Sequence, residues 1–111
     1  MEHPVAKKRI AKAIEFEIDP SETLSADTYP FSDLRGLKYI ITTSPLDGSK
    51  ISALEMLACK KSSDVSDSVY CKIGDTLDVA AQFLRSGSDT LLRLTNNEAF
   101  TVRVSLLRFE I

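Results

Sequence analysis

The sequence has 111 residues, of which 43% are hydrophobic and 27% are charged, and its net charge is −2. These are the proportions of an ordinary globular protein, and they exclude a disordered or a collagen-like chain. A chain of this length can fold as one domain that buries roughly two thirds of the surface exposed by its unfolded form.

Positive charge is concentrated at the start of the chain. Lys7, Lys8, Arg9 and Lys12 against Glu2 give residues 1–12 a charge of +3, so the remaining residues carry −5. Because chain ends are commonly disordered, we predict a flexible basic arm over residues 1–9 and a single β-sandwich domain over residues 10–111. Such an arm on an acidic body could contact an acidic partner or nucleic acid.

The chain carries no targeting or membrane signal. No apolar run precedes the first charges, and no stretch approaches the roughly eighteen consecutive apolar residues of a membrane span. We therefore expect a protein made in a reducing cytoplasm. Cys59 and Cys71 are then expected to be small core residues, and the sequence leaves open whether the two thiols face each other.

The first strand is predicted to begin at Ile10, because apolar and polar residues alternate from there to Asp19-Pro20. Its apolar side comprises Ile10, Ile14, Phe16 and Ile18. Residues 19–36 lack any period and are predicted to form a long loop, which in a compact domain is usually functional or mobile. The apolar residues of this loop, expected to pack on the chain's own sheet or on a neighbouring subunit, are Leu24, Tyr29, Phe31 and Leu34.

Alternation from Leu37 to Ile41 predicts a second strand that ends at Pro45. Asp47-Gly48 follows directly and predicts a tight hairpin of the type I′ class, in which both central residues have positive φ.

Residues 50–59 are ambiguous. Their Ala, Leu, Glu and Met content favours a helix, and Ser52 with Glu55 resembles a capping box. The preceding turn and the apolar register of Leu54, Met56 and Ala58 favour a strand, and a strand is our prediction.

The rest of the chain contains short strands between turns. Residues 60–67, rich in serine, are predicted to be a polar loop. Strands are predicted around residues 69–73, 77–83 and 92–94, with turns at 74–75, 86–89 and 96–97. About seven short strands result, which predicts an all-β fold, an antiparallel β-sandwich or a jelly-roll-like barrel.

The closing strand is long, and its pattern shifts. Apolar residues occupy every even position from 100 to 106 and every odd position from 107 to 111. We predict a β-bulge near Leu106-Leu107 that absorbs this shift and leaves Arg108 and Glu110 on the polar side.

The arginines of the last two strands do not match a nucleic-acid site, which needs a basic stripe with interleaved aromatic residues. Arg93, Arg103 and Arg108 are instead predicted to form a solvated ladder with Glu98 and Glu110.

No pattern predicts an enzyme or a metal site. His3 is the only histidine and lies beside the chain end, where a nucleophile's base would be poorly held. Neither cysteine has a second one at zinc spacing. Glu15 and Glu17 fit the solvent side of a strand better than a glycosidase pair.

Four aspartates flank the predicted strand at 69–73, and they are Asp64, Asp67, Asp75 and Asp78. Their spacing matches no calcium loop, and turn or strand-end positions explain them better. We predict no catalytic residue, no metal and no cofactor.

Several runs of the second half resemble a small β-sandwich module that recurs in virion proteins of tailed bacteriophages. In that module a hairpin leads into an Ala/Ser-x-Glu-hydrophobic strand, a Tyr-x-x-Ile-Gly strand follows, and a Leu-Arg-Leu-Thr-Asn strand precedes a closing Val-x-Val strand. The corresponding runs here are residues 36–41, 47–57, 69–74, 91–96 and 102–104. The resemblance covers residues 36–106.

The resemblance implies a non-enzymatic structural protein of the virion, either a capsid decoration protein or a subunit of the tail, baseplate or fibre. Its partners would be other virion proteins and further copies of itself, with a trimer favoured, and neither a membrane nor a small-molecule substrate. The expected contact residues are Lys7, Lys8, Arg9, Leu24, Tyr29, Phe31 and Leu34. The alternative is a carbohydrate- or ligand-binding β-sandwich, against which the lack of tryptophan argues.

Overall fold

The computed structural model describes the backbone of residues 10–111 and the side chains from Lys12 onward, so the predicted arm over residues 1–9 lies outside the described residues. Eight strands and one short 3₁₀ helix follow one another. The strands are β1 (Ile10–Ile18), β2 (Thr23–Pro30), β3 (Gly36–Pro45), β4 (Ser52–Lys61), β5 (Asp64–Gly74), β6 (Val79–Ser86), β7 (Asp89–Asn96) and β8 (Val102–Glu110). The 3₁₀ helix (Phe31–Asp33) lies between β2 and β3.

The strands form two antiparallel sheets. One has five strands in the order β1-β8-β3-β4-β5, and the other has three in the order β2-β7-β6. The predicted antiparallel β-sandwich is therefore confirmed. The eighth strand, beyond the predicted number of about seven, is β2.

The core lies between the two sheets and follows from the alternation of β3, β7 and β8, in which every second residue is buried, in β8 as far as Leu106. Its least exposed apolar side chains are Ile18, Leu37, Tyr39, Ile41, Met56, Leu92, Leu94, Val102, Val104 and Leu106. Full burial of one such side chain stabilises the fold by about 1.5–3 kcal/mol. The core therefore holds the two sheets together without a disulfide, since both cysteines are free.

The prediction of a long loop over residues 19–36 is wrong. Strand β2 occupies the middle of this segment and pairs with β7. The alternation is broken because a register shift between Ser25 and Asp27 inserts Ala26 as an extra residue, so Ala26 and Asp27 both turn inward. A bulge of this kind removes the period by which a strand is recognised.

The strand prediction for residues 50–59 is confirmed, because β4 pairs with β3 along its length. The predicted type I′ turn is wrong. Gly48 has a φ of +72°, but Asp47 is not among the residues with positive φ. The N–H of Gly48 donates to the carbonyl of Pro45 at 3.0 Å, and the connection continues to Ile51.

The polar loop predicted over residues 60–67 is also wrong. Strands β4 and β5 continue through most of it and leave only Ser62 and Ser63 as the turn. Ser62 has a φ of +56°, and the pairing of Lys61 with Asp64 closes the hairpin. The segment has the polar composition of a loop because both strands extend beyond the core, where their faces are exposed.

The bulge predicted in β8 near Leu106-Leu107 is wrong as well. Strand β8 pairs with β3 without a register shift from Val102 to Glu110. Alternation therefore continues unbroken, and Arg108 lies on the same inward side as Leu106, whereas Leu107 and Phe109 point outward. The register shift is in β1, between Ile10 and Lys12.

Two glycines with positive φ differ in what surrounds them, and this gives a matched test. A Cβ at Gly74 would overlap the carbonyl oxygen of Ile51, whereas nothing lies within 4 Å of a Cβ at Gly48. We expect Gly48→Ala to lower the free energy of unfolding by about 1 kcal/mol, from the left-handed conformation alone. Gly74→Ala adds a steric overlap and should cost about 3 kcal/mol. Urea unfolding of both variants checks this, and equal losses would contradict the packing described around Gly74.

Candidate functional site

The most highly organised polar group in the described residues is Asp27, which is buried between the two sheets. Its Oδ1 accepts hydrogen bonds from Lys12 Nζ at 2.8 Å and from Arg108 Nη1 at 3.2 Å. Its Oδ2 accepts from the Tyr39 hydroxyl at 2.7 Å and again from Arg108 Nη1 at 3.1 Å. Asp27 lies on β2, and its three partners lie on β1, β3 and β8. One carboxylate therefore ties the three-stranded sheet to three strands of the other sheet.

Tyr29 and Glu110, which lie around Arg108, complete this cluster. The Arg108 guanidinium lies 5.0 Å from the centre of the Tyr29 ring and 3.5 Å from Glu110. Tyr29 in turn donates to Glu110 at 3.3 Å. Lys12 and Arg108 are balanced by Asp27 and Glu110, so the cluster is neutral as a whole, which a buried ionic group requires.

The ionisation of the cluster follows from its contacts. Burial alone raises the pKa of Asp27, but hydrogen bonds from Lys12 and Tyr39, together with the charge of Arg108, outweigh burial and leave that pKa lowered. The pKa of Tyr39 is raised, first by burial and then by the neighbouring Asp27 charge. Asp27 is therefore an ionised acceptor and Tyr39 a neutral donor, which suits a structural tie rather than proton transfer.

This cluster was not predicted from the sequence. Asp27 lies in the segment predicted to be a loop, and the predicted bulge puts Arg108 on the polar side of β8. Val102, Val104 and Leu106 point inward, and Arg108 continues this alternation at the next even position. The inward position of Arg108 could therefore have been predicted from the sequence. No sequence pattern indicates the bulge that turns Asp27 inward.

The predicted arginine ladder is wrong, because β7 and β8 belong to different sheets. Arg93 lies on β7 in the three-stranded sheet, whereas Arg103 and Arg108 lie on β8 in the other sheet. Arg103 is exposed and lies 3.9 Å from Glu17, and Glu98 accepts the backbone N–H of Asp78 at 2.7 Å. Only the pairing of Arg108 with Glu110 resembles the prediction.

The loop residues predicted as subunit contacts lie in different surroundings. Leu34 belongs to the core, with 3% of its surface exposed, and Leu24 and Tyr29 are partly buried against that core. Phe31 is partly exposed, and its ring lies 4.4 Å from Lys60 Nζ and 3.7 Å from the Arg85 guanidinium carbon. Lys7, Lys8 and Arg9 lie outside the described residues.

The outward side of the five-stranded sheet is unusually apolar. We call it the outer face, and its large apolar side chains are Ile40, Leu57, Tyr70, Ile73, Leu107 and Phe109. The cross-strand pairs place Leu107 beside Ile40, and Phe109, Lys38 and Leu57 in one row. Leu57, Tyr70 and Ile73 are 42%, 49% and 64% exposed.

The polar groups of the outer face are paired with one another. Tyr70, the extra residue of a bulge in β5, donates to Glu55 at 2.6 Å, and this hydrogen bond, more than burial, raises the pKa of Tyr70 to about 12. Lys38 lies 4.0 Å from Glu55 and 5.6 Å from the centre of the Phe109 ring. The face therefore combines exposed apolar area with few unpaired charges.

The outward side of the three-stranded sheet differs. Its residues are mostly hydroxyl, amide and charged side chains, including Thr23, Ser25, Thr28, Gln82, Arg93 and Thr95. Leu84 and Leu91 form one cross-strand pair among them. This is the ordinary solvent face of an antiparallel sheet.

The cysteines are not core residues, contrary to expectation. Cys59 on β4 is exposed and Cys71 on β5 is partly exposed, and both are free thiols. Cys71 pairs with Glu55 and Cys59 with Ser66, so the two thiols do not face each other.

Three of the four aspartates around β5 stabilise turns and strand ends, and the fourth, Asp67, joins β5 to β6. Asp64 accepts the N–H of Val65, Asp75 that of Ile51, and Asp67 that of Phe83 on β6. Asp78 accepts from the Asn97 side chain at 3.3 Å. In the described residues no three His, Cys, Asp or Glu side chains are grouped as metal ligands. None of the helices described over residues 10–111 is long and apolar enough to cross a membrane.

The surface has two concave regions between its connections and sheets. A cavity of about 200 Å³ lies between the sheets at the β5–β6 end, lined in part by Ile41, Leu54 and Leu77. A wider groove of about 490 Å³ lies between the β3–β4 and β7–β8 connections, beside Leu46, Lys50 and the partly exposed Phe100. The first is smaller than the roughly 300–1,000 Å³ of ordinary ligand pockets, and the second is within that range.

Substitution of the central carboxylate tests the cluster. We expect Asp27→Asn to lower the free energy of unfolding by about 3 kcal/mol, because it leaves Lys12 and Arg108 without their shared counter-ion. The matched control is Glu17→Gln, which removes an exposed ion pair and should cost less than about 1 kcal/mol. Denaturant unfolding measures both, and similar small losses would show that Asp27 does not tie the sheets.

The lowered pKa of Asp27 predicts how this contribution depends on pH. The folded pKa lies below the unfolded value, so the stabilisation is fully present above the unfolded pKa and is lost as pH falls through the folded one. The difference in unfolding free energy between the native chain and Asp27→Asn should therefore shrink as pH is lowered from about 5 towards about 2. Unfolding at a series of pH values measures this difference, which a pH-independent cluster would leave constant.

Comparison with known proteins shows the fold. No protein-family model matches the chain, and no curated protein does. Among solved structures, the Acinetobacter baumannii phage AM24 tailspike protein matches 87% of this chain with a TM-score of 0.54 and 8% identity. The Acinetobacter phage vB_ApiP_P1 tailspike protein matches 94% with a TM-score of 0.50 and 14% identity. This chain spans 25% and 21% of those two chains, so it shares the fold of one part of each tailspike protein.

Proposed function

We propose that this chain is a structural β-sandwich module of a bacteriophage tail, a virion component without enzymatic activity that acts through protein–protein contacts. The observation that carries the proposal is the likeness of nearly the whole described fold to parts of two phage tailspike proteins. The virion-protein resemblance of residues 36–106 points in the same direction. Because both solved structures are tail proteins, the tail is favoured over a capsid decoration.

A structural role also agrees with the chemistry of the described residues. Asp27 is a carboxylate with a strongly shaped environment, yet donors from three side chains occupy both of its oxygens. A general acid or base needs a free position for the proton it transfers. Asp27 therefore supports architecture, while the exposed outer face offers area for a protein partner.

Only some of the contact residues predicted from the sequence are placed where they can meet a partner. Leu34 supports the core from within the sandwich, whereas Phe31 is partly exposed between Lys60 and Arg85 and could meet a neighbouring protein. Lys7, Lys8 and Arg9 would add a basic contact. Several weak contacts of this kind, repeated by symmetry, give avidity without a large interface on each chain.

A second candidate function is ligand binding at the groove beside Phe100, for which an exposed ring next to polar side chains is the favouring observation. An aromatic face is the usual platform for a sugar ring. Glycan-array screening of the purified chain, with Phe100→Ala as the control, distinguishes this candidate from the structural role.

Localisation tests the proposed function. Particles purified from lysates of the cells that produce this protein should be labelled at the tail by gold-conjugated antibodies raised against the purified chain. In the control, the antibodies are incubated with an excess of the purified chain before they are added to the particles, and this should remove the label. Particles that contain no labelled tail would contradict the proposal.

Deletion tests the arm separately. A chain lacking residues 1–9 should fold with an unchanged unfolding midpoint, because β1 begins at Ile10, but it should be incorporated into particles less efficiently. Quantitative immunoblotting of purified particles measures the incorporation. Unchanged occupancy would remove the arm from the proposed contacts.

A further inference from the structure

We propose that the outer face of the five-stranded sheet is a self-association surface, occupied by a second copy of this chain. The proposal rests on the proposed function, a role through protein–protein contacts, and deepens it by naming one partner and the surface that meets it.

The first observation is the contrast between the two outward sheet surfaces. The three-stranded sheet presents hydroxyl, amide and charged side chains to solvent, as an antiparallel sheet normally does. The five-stranded sheet presents Leu57, Tyr70 and Ile73, all more than one third exposed, beside Ile40 and Leu107. A contiguous apolar surface on one side of a sandwich marks an interaction site.

The second observation is the size of the face. Five strands spaced about 4.8 Å apart and about nine residues long span roughly 700 Å². A standard-size protein interface buries about 600–1,000 Å² on each partner, so the area of this face is within the range of one specific contact.

The third observation is the charge of the face, which favours binding of a second copy of this chain over binding of a strongly charged protein. Lys38 is paired with Glu55, and Arg103 with Glu17, so positive and negative groups alternate and largely neutralise one another. A surface of one sign would repel an identical surface, whereas this mixed surface does not. The pair of Lys38 and Glu55 lies among the aromatic and aliphatic groups, and the pair of Arg103 and Glu17 lies at one end of the face, so aromatic and aliphatic area is combined with neutralised charge.

The shape of the face also suits an identical partner. Sheets pack face to face about 10 Å apart with their side chains interdigitating, and two copies of one twisted sheet have matching twist. The bulge at Tyr70 and the polar residues of β5 disfavour the alternative, edge-to-edge pairing of that strand.

The test compares two identical substitutions on opposite surfaces. Leu57→Glu places a charge in the middle of the outer face, where it can pair with Lys38 on the neighbouring strand and so leave the single chain stable. Leu84→Glu makes the same change on the outward side of the three-stranded sheet. Ile73→Glu, at a position 64% exposed, is a second outer-face variant should Leu57→Glu fail to fold.

Sedimentation equilibrium over a wide concentration range gives the mass of each protein. The native chain and Leu84→Glu should reach the same multiple of 12.3 kDa, and Leu57→Glu should remain at 12.3 kDa with association weakened at least tenfold. A native chain that is monomeric up to its solubility limit would overturn the proposal. The proposal would also be overturned if Leu57→Glu and Ile73→Glu, each measured alone, associated as strongly as the native chain. Loss of association in Leu84→Glu alone would overturn it as well. A monomer found in labelled tails would overturn this inference alone, and an associating chain missing from every particle would overturn only the proposed function.

Discussion

A buried carboxylate with two cationic partners joins the layers of the sandwich. Asp27 is the inward-facing carboxylate of β2, and its partners come from three strands of the opposite sheet. Apolar packing between two sheets is not directional, so it permits many relative positions. Hydrogen bonds from Lys12, Tyr39 and Arg108 to one carboxylate fix the position of β2 against β1, β3 and β8. The ionic cluster thus adds directional contacts to the aliphatic core, as do the hydrogen bonds from Asn96 to the Ile18 carbonyl and from the Phe83 N–H to Asp67.

This constraint explains the distribution of side chains elsewhere. Arg108 must point inward to meet Asp27, so Leu107 and Phe109 must point outward on the same strand. Their outward position contributes to the apolar surface of the five-stranded sheet. The interior tie and the exposed outer face are therefore two consequences of one alternation in β8. A strand that serves both sides in this way suits a module that is stabilised within and contacts a partner outside.

The sequence predicted the elements with a clear period and missed those where a bulge or a buried charge broke it. Strands β1, β3, β4 and β8 and the antiparallel sandwich follow from alternation and turn residues. Strand β2 could not be recognised because Ala26 interrupts its period and serine, threonine and aspartate dominate its composition. In β8 the error was different, because the bulge was predicted from the change of the apolar residues from even to odd positions after Leu106. The parity of β8 was visible, but its partner Asp27 is 81 residues away and no local pattern links them.

The surfaces were less predictable than the core for a physical reason. Which side of a sheet faces the second layer depends on how the sheets stack, and a strand with apolar residues on both sides gives no period. Strand β5 shows this, since its alternating Val69, Cys71 and Ile73 predicted a core face that the structure places largely in solvent. Cys59 and Cys71 were predicted to be core residues because a reduced thiol is a small apolar group, but Cys59 is exposed and Cys71 is partly exposed.

A distance between copies tests the central claim, that the outer face meets a second copy, most directly. A spin label on the exposed Cys59, in a chain with Cys71→Ser, lies on that face. Because packed sheets are about 10 Å apart, pulsed electron resonance should give a label-to-label distance below about 30 Å in the associated protein. A label at position 84, introduced by Leu84→Cys in a chain with both native cysteines replaced by serine, should give a longer distance. The account would be contradicted if labels at Cys59 showed no dipolar coupling between copies, or if labels at position 84 showed stronger coupling than labels at Cys59.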